Sequence, residues 1–157
     1  MIRLKYHGAL PFAREFGERL GDALAAYADE APWVVPVPLA RSRLASRGFN
    51  QAWELARVAS RRAHLCASAY VLRRERTTTS QRRLSREARK RNLRDAFVAS
   101  DCVRGRRIVL IDDVMTTGAT CDAAAAALKR AGAAHVLAAV VLRTPSTPAS
   151  PPSPPTP

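Results

Sequence analysis

The sequence predicts an α/β fold: a mostly parallel sheet flanked by helices, with a long basic lid loop. Three observations predict it. Apolar runs of strand length recur at about residues 33–38, 70–73, 108–112 and 135–142. Stretches of helical periodicity alternate with them, the pattern of parallel strands joined by crossover helices. Residues 73–94 carry nine Arg and one Lys against only Glu75 and Glu87, with little apolar periodicity. A charged loop of that length inside a compact domain is expected to be a lid or binding segment.

The 157 residues suffice for one domain with a real core, expected over residues 1–143. The hydrophobic fraction of 47% is that of a globular protein. No window approaches the roughly 20 apolar residues a membrane span needs, and Met-Ile-Arg-Leu-Lys-Tyr-His-Gly lacks an apolar signal core. A cytoplasmic protein is expected. Cys66, Cys102 and Cys121 are odd in number and lack metal-clip spacing, so buried free thiols are expected rather than a disulfide framework. The net charge of +13 implies attraction to anions: nucleotides, pyrophosphate or nucleic acid.

Taken in order, the first helix is expected from Pro11 to about Asp29. Phe12, Phe16, Leu20 and Leu24 recur at i, i+4 and form one apolar stripe, and Pro11 suits a first helical position. His7 precedes it and reads as incidental. Trp33-Val-Val-Pro-Val-Pro-Leu39 reads as a strand ended by its prolines, which cannot donate ladder hydrogen bonds. Such a rigid exit suits a loop that presents backbone groups to a ligand. A basic loop follows, Arg41-Ser-Arg-Leu-Ala-Ser-Arg-Gly-Phe-Asn-Gln51, and then a helix over about 50–63 with Asn50 as N-cap. Trp53, Leu55 and Val58 fall on or near its buried face.

Tyr70-Val-Leu72 is a short strand that feeds the basic loop, within which residues 85–91 form a short helix. Residues 101–107 turn into the next strand. His135-Val-Leu-Ala-Ala-Val-Val-Leu142 has the length and composition of a buried strand, with His135 structural. Residues 144–157 are Pro, Ser and Thr with almost no apolar side chains, a disordered tail.

The stretch with the most chemistry is Ile108-Val-Leu-Ile-Asp-Asp-Val-Met-Thr-Thr-Gly-Ala-Thr120. An apolar strand ends in two adjacent carboxylates. A Thr/Gly loop follows, then an alanine-rich helix over 121–131 stopped by Gly132. In an open parallel sheet such a loop lies at the carboxyl ends of the strands, where ligands bind. Gly118 permits a sharp turn and close approach. Thr116, Thr117 and Thr120 offer hydroxyls, and the amides of the first helical turn suit a phosphate. Asp112 and Asp113 would repel that phosphate unless they face hydroxyls or a metal. A phosphate on one side and hydroxyls on the other describe a sugar phosphate. The plain alternative is a strand-turn-helix without a ligand.

This segment resembles the phosphoribosyl pyrophosphate (PRPP) motif of type I phosphoribosyltransferases. Pro36-Val-Pro-Leu39, then Arg43 and Arg47 in a basic loop, then Arg-Gly-Phe-Asn-Gln51 resemble the ComF family within that superfamily. So does the pattern Gln81, Leu84-Ser85, Arg89, Asn92 and Ala96-Phe97. Asp95 departs from it, since Gly commonly precedes that Ala-Phe pair. ComF proteins often join this domain to an N-terminal zinc-finger module with paired Cys-x-x-Cys. This sequence has none, and it begins near where that module would end.

The resemblance implies binding of PRPP with Mg²⁺ and transfer of ribose 5-phosphate to an acceptor, with release of pyrophosphate. Asp112 and Asp113 would serve the ribose hydroxyls, and Thr116, Thr117, Gly118, Ala119 and Thr120 the 5′-phosphate. Arg43 and Arg47 would serve pyrophosphate, and Gln81, Arg89 and Arg91 would act from the lid. Mg²⁺ would be carried by PRPP or pyrophosphate rather than ligated directly by the protein. Thr116 stands where 6-oxopurine salvage enzymes of this fold carry an acid, so hypoxanthine-guanine salvage is disfavoured. No residue names the acceptor.

Partners implied alongside PRPP are single-stranded DNA or competence proteins, through the family's association with DNA uptake, and a second copy in a homodimer. The rival reading is a non-catalytic protein that binds PRPP, a nucleotide or single-stranded DNA. The arginines suit a phosphate backbone, but few aromatics accompany them as a stacking platform. A nucleotide hydrolase would need a Gly-rich loop with Lys-Ser/Thr, which is absent. A receiver domain would place its acid pair early and a further Asp on a later strand end.

Overall fold

The computed structural model describes residues 9–75 and 96–144. Its helices are α1 (Ala9–Ala25), α2 (Arg41–Arg47), α3 (Gln51–Arg62) and α4 (Ala119–Arg130). Its strands are β1 (Trp33–Pro36), β2 (Leu72–Arg74), β3 (Phe97–Ala99), β4 (Arg107–Met115) and β5 (His135–Arg143). Strands β1, β4 and β5 form a parallel sheet in that spatial order, with Pro36 opposite Ile111 and Asp112 opposite Val140. This is the fold class that the sequence predicts.

Alternation along the strands sends side chains to two cores. Val35, Ile108 and Leu110 face α4 and meet Cys121, Ala124, Ala127 and Leu128. Val34, Val109 and Ile111 face the other way and meet Leu24 of α1 with Leu55, Ala56 and Ala59 of α3. Phe16 and Leu20 of the predicted stripe pack against that second core, and Phe12 stacks on Phe16 with ring centroids 4.4 Å apart. Helix α1 lies along α3. The approach depends on glycine: a Cβ on Gly17 would stand 2.6 Å from Val58 Cβ, and one on Gly21 2.5 Å from Arg62 Cβ. Helix α1 ends before the expected Asp29, and a 3-10 turn at Ala28–Glu30 carries the chain on to β1.

Four expectations need correction. The run 70–73 does not join the parallel sheet; β2 pairs antiparallel with β3 in a separate two-stranded sheet. Its continuation, Arg73 and Arg74, is charged and cannot line a sheet covered on both faces. Residues 66–68 take the place beside β1, where the Val34 amide donates to the Cys66 carbonyl at 2.8 Å and the Ser68 amide to the Val34 carbonyl at 3.0 Å. The basic loop 41–47 is instead helix α2, made of good helix formers and closed by Gly48 at φ 80°. Among the described residues strand β5 ends the sheet and is not a buried strand, with Leu137 46% and Leu142 48% exposed. Its composition reports apolarity and not its place in the sheet. Of the cysteines only Cys121 is buried; Cys66 and Cys102 are exposed.

His135 opens β5 as expected. Among the described residues no helix is long and apolar enough to cross a membrane. The expected helix at 85–91, Asp95, His7 and the tail beyond Thr144 lie outside the described residues.

Candidate functional site

Strand β4 reaches further than the apolar run, through Asp112 and Asp113 to Met115, which pairs with Arg143. The acids are therefore held by strand pairing, not by a loop. Residues 116–118 turn, and α4 begins at Ala119, two residues before the expected Cys121. Ala119 and Thr120 thus form the first helical turn. Gly118 is its N-cap at φ 77°, ψ −10°, a left-handed conformation in which any other residue would be strained. Thr117 Oγ1 accepts the Ala119 amide at 3.4 Å. The amides that start α4 point with the positive end of a twelve-residue helix into this turn.

The two acids are not equivalent. Asp112 is half-buried, with Oδ1 accepting the Asp113 amide at 3.0 Å and Oδ2 facing the Cys121 thiol at 3.7 Å. Burial, then the adjacent Asp113 charge, pushes the Asp112 carboxyl up to about 6, while the Asp113 amide and the thiol pull it partly back. Burial and the Asp112 charge push the Cys121 thiol up to about 12. Asp113 accepts the Val114 amide through Oδ1 at 2.9 Å.

Strand β1 delivers α2 to the same end of the sheet. The Val37 amide donates to the Ile111 carbonyl at 2.8 Å, next to Asp112. Asn50 ties the far end of the α2 segment back: its side-chain amide donates to the Val37 carbonyl at 3.1 Å, while Oδ1 accepts the Ala52 amide as the N-cap of α3. Arg43 and Arg47 are exposed on α2. The structure therefore brings Asp112, Asp113, Thr116, Thr117, Gly118, Ala119 and Thr120 together in one strand-turn-helix. It sets Arg43 and Arg47 at the same pole on a separate element. Gln81, Arg89 and Arg91 lie outside the described residues.

Sequence reasoning missed three residues. Arg74 lies over the Phe97 ring at 5.4 Å. Burial lowers its guanidinium from the ordinary value, and the Arg43 charge lowers it further, so two cations from distant parts of the chain converge here. No pattern in the sequence distinguishes it from its arginine neighbours. Cys121 reads as a core thiol, and its contact with Asp112 needs the helix start to be placed. Asn50 reads as a cap, but its second bond, to Val37, is a tertiary one.

A phosphoribosyl transferase domain family model matches residues 8–155. The chain is 42% identical over 111 residues to the DNA utilization protein YhgH of Escherichia coli strain K12, covering 71% of this chain and 49% of that protein. It is 35% identical over 106 residues to competence protein F of Haemophilus influenzae, covering 66% and 46% respectively. It is 29% identical over 151 residues to competence protein ComFC of Bacillus subtilis, covering 90% and 57%. The chain thus spans about half the length of the curated relatives it matches. These names agree with the ComF resemblance. Among solved structures, glutamine PRPP amidotransferase from B. subtilis, complexed with ADP and GMP, superposes with a TM-score of 0.54 at 23% identity, covering 80% of this chain and 26% of that one. The allosteric regulatory enzyme of purine biosynthesis superposes equally well, covering 80% and 25%. At that identity the likeness speaks to the fold.

Proposed function

Because this chain belongs to the phosphoribosyl transferase domain family, we propose that it binds PRPP with Mg²⁺ and transfers ribose 5-phosphate to an acceptor, releasing pyrophosphate, in the cytoplasm and in the service of DNA use. The observation that carries the reading is the run from Asp112 and Asp113 in β4, through the Gly118 turn, into the first turn of α4. Carboxylates and a helix N-terminus so close together suit one ligand with hydroxyls at one end and a phosphate at the other.

Breaking the bond from ribose C1 to pyrophosphate builds positive charge on the ring and negative charge on the leaving group. The carboxylates of Asp112 and Asp113 favour the cationic ring, and Asp113 is the one that holds the hydroxyls. The hydroxyls of Thr116, Thr117 and Thr120 with the α4 amides anchor the 5′-phosphate. Arg43 and Arg47 offset the charge on pyrophosphate. This is positioning and electrostatic stabilisation, with no covalent work by the protein.

The donor set fits a magnesium ion carried by the ligand. Both Asp112 oxygens already face protein donors, so the ion would draw on PRPP oxygens and water, as Mg²⁺ commonly does. When bound, it neutralises charge on the departing pyrophosphate. Gln81, Arg89 and Arg91, which lie outside the described residues, belong to this proposal as further polar and cationic groups for the ligand.

A second reading is non-catalytic binding of PRPP, a nucleotide or single-stranded DNA. It is favoured by the exposed Arg41, Arg43 and Arg47 on α2 and by Tyr70, 87% exposed just before β2. One assay separates the two: pyrophosphate release from PRPP with Mg²⁺, across nucleobases, amines and short oligonucleotides. Release with one acceptor class supports transfer. No release, together with oligonucleotide affinity that falls steeply with salt, supports the second reading.

A further inference from the structure

Cys121 sits in the first turn of α4, where side chains lean back toward the helix N-terminus. That direction brings its sulfur to Asp112 Oδ2. A purely apolar side chain there would face Ala124 and Leu128 as the sulfur does. It would leave a half-buried carboxylate oxygen facing hydrocarbon, without a donor. Burial, then the Asp112 charge, holds the thiol well above its ordinary titration range, which favours its role as a donor.

We propose that Cys121 is a positioning residue: its thiol holds Asp112 Oδ2 against α4, and so fixes Asp113 as the carboxylate turned to the ribose hydroxyls. The proposal rests on the phosphoribosyl reading above. With Oδ1 on the Asp113 amide and Oδ2 on the thiol, Asp112 cannot rotate toward a ligand without losing a bond. Asp113 engages the protein through Oδ1, and Oδ2 is left for the ligand. Among the described residues, the titratable groups that face Asp112 are Asp113 on its own strand and Cys121 on α4, with Asp122 acting on Cys121. Strand β5 sets Val140 opposite Asp112, and β1 ends alongside at Pro36 and Val37. The thiol is therefore the donor on the buried side of Asp112.

The test compares wild type, Cys121→Ser and Cys121→Val. NMR follows the Asp112 side-chain carboxyl carbon against pH in the ligand-free protein, and calorimetry follows PRPP–Mg²⁺ affinity against pH. Serine keeps a donor, and its titration should stay close to wild type. Valine removes the donor while keeping the site dry, and the Asp112 midpoint should rise by about half a unit. The pH at which PRPP affinity is half-lost should rise with it. Cys121→Ala carries the same expectation should valine fail to pack. Identical Asp112 titration in wild type, serine and valine or alanine variants overturns the tether. A shifted titration with no PRPP binding by wild type overturns the phosphoribosyl reading instead, so the two failures are distinguishable.

Discussion

The side-chain amide of Asn50 donates to the Val37 carbonyl at 3.1 Å, and so closes the thirteen-residue excursion that carries α2. One residue thereby caps α3 and fixes the exit of β1 beside Asp112. Asn50→Ala removes both bonds. Urea unfolding should show a loss of about 1 kcal/mol from the cap alone. PRPP affinity should fall as well, because α2 loses its anchor. Asn50→Asp keeps the capping oxygen and loses the Val37 bond. It should retain most of the stability and still bind PRPP more weakly.

The crossing of α1 and α3 gives a prediction independent of ligand. A Cβ on Gly21 would meet Arg62 Cβ at 2.5 Å and the Ala59 carbonyl oxygen at 2.9 Å. The second contact is with backbone and cannot rotate away. Alanine favours a helix over glycine by up to about 1 kcal/mol, but overpacking of this kind costs about 1–3 kcal/mol. Gly21→Ala should therefore lower the urea midpoint despite its better helix propensity.

These two relationships mark what was legible in the sequence. The α/β class, the strand at 108–112, the helix after the Thr/Gly loop and the Asn50 cap follow from apolar runs, glycine and capping chemistry, which act over a few residues. Pairing partners do not. Nothing local in Tyr70-Val-Leu72 says that the strand turns away from the main sheet to meet Phe97. Nothing in the apolar run at 135–142 says that it ends the sheet among the described residues. At the site, the acid pair and the Thr/Gly loop were legible as a contiguous motif. The Cys121 contact and the convergence of Arg74 with Arg43 join distant segments and required the fold.

Asp112 gives a pH prediction. Its folded-state carboxyl is raised to about 6, above the ordinary unfolded value near 4. The native state thus holds its proton more tightly. The contribution is fully present below pH about 4 and lost as pH rises through about 6. Asp112→Asn removes this dependence. Melting of the variant and wild type should differ little at pH 4. At pH 8 the variant should be the more stable by on the order of 1–2 kcal/mol, after discounting for solvent screening. A difference that grows toward acid pH would reverse the sign and refute the assignment.

Arg43 and Arg47 are exposed, and among the described residues neither forms an ion pair. Replacing either with alanine should change stability by less than about 0.5 kcal/mol. Pyrophosphate affinity, read by calorimetry, should fall about tenfold for each, the worth of one charge-assisted hydrogen bond.

The central claim is that β4, the Gly118 turn and α4 form a PRPP site, and the most direct measurement is thermal melting with and without saturating PRPP and Mg²⁺. A ligand that binds only the folded state at 100 times its Kd adds about 2.7 kcal/mol. The account predicts a clear rise in Tm for wild type and none for the double variant Asp112→Asn, Asp113→Asn. An unchanged wild-type melting curve, or an equal rise in the double variant, would contradict it.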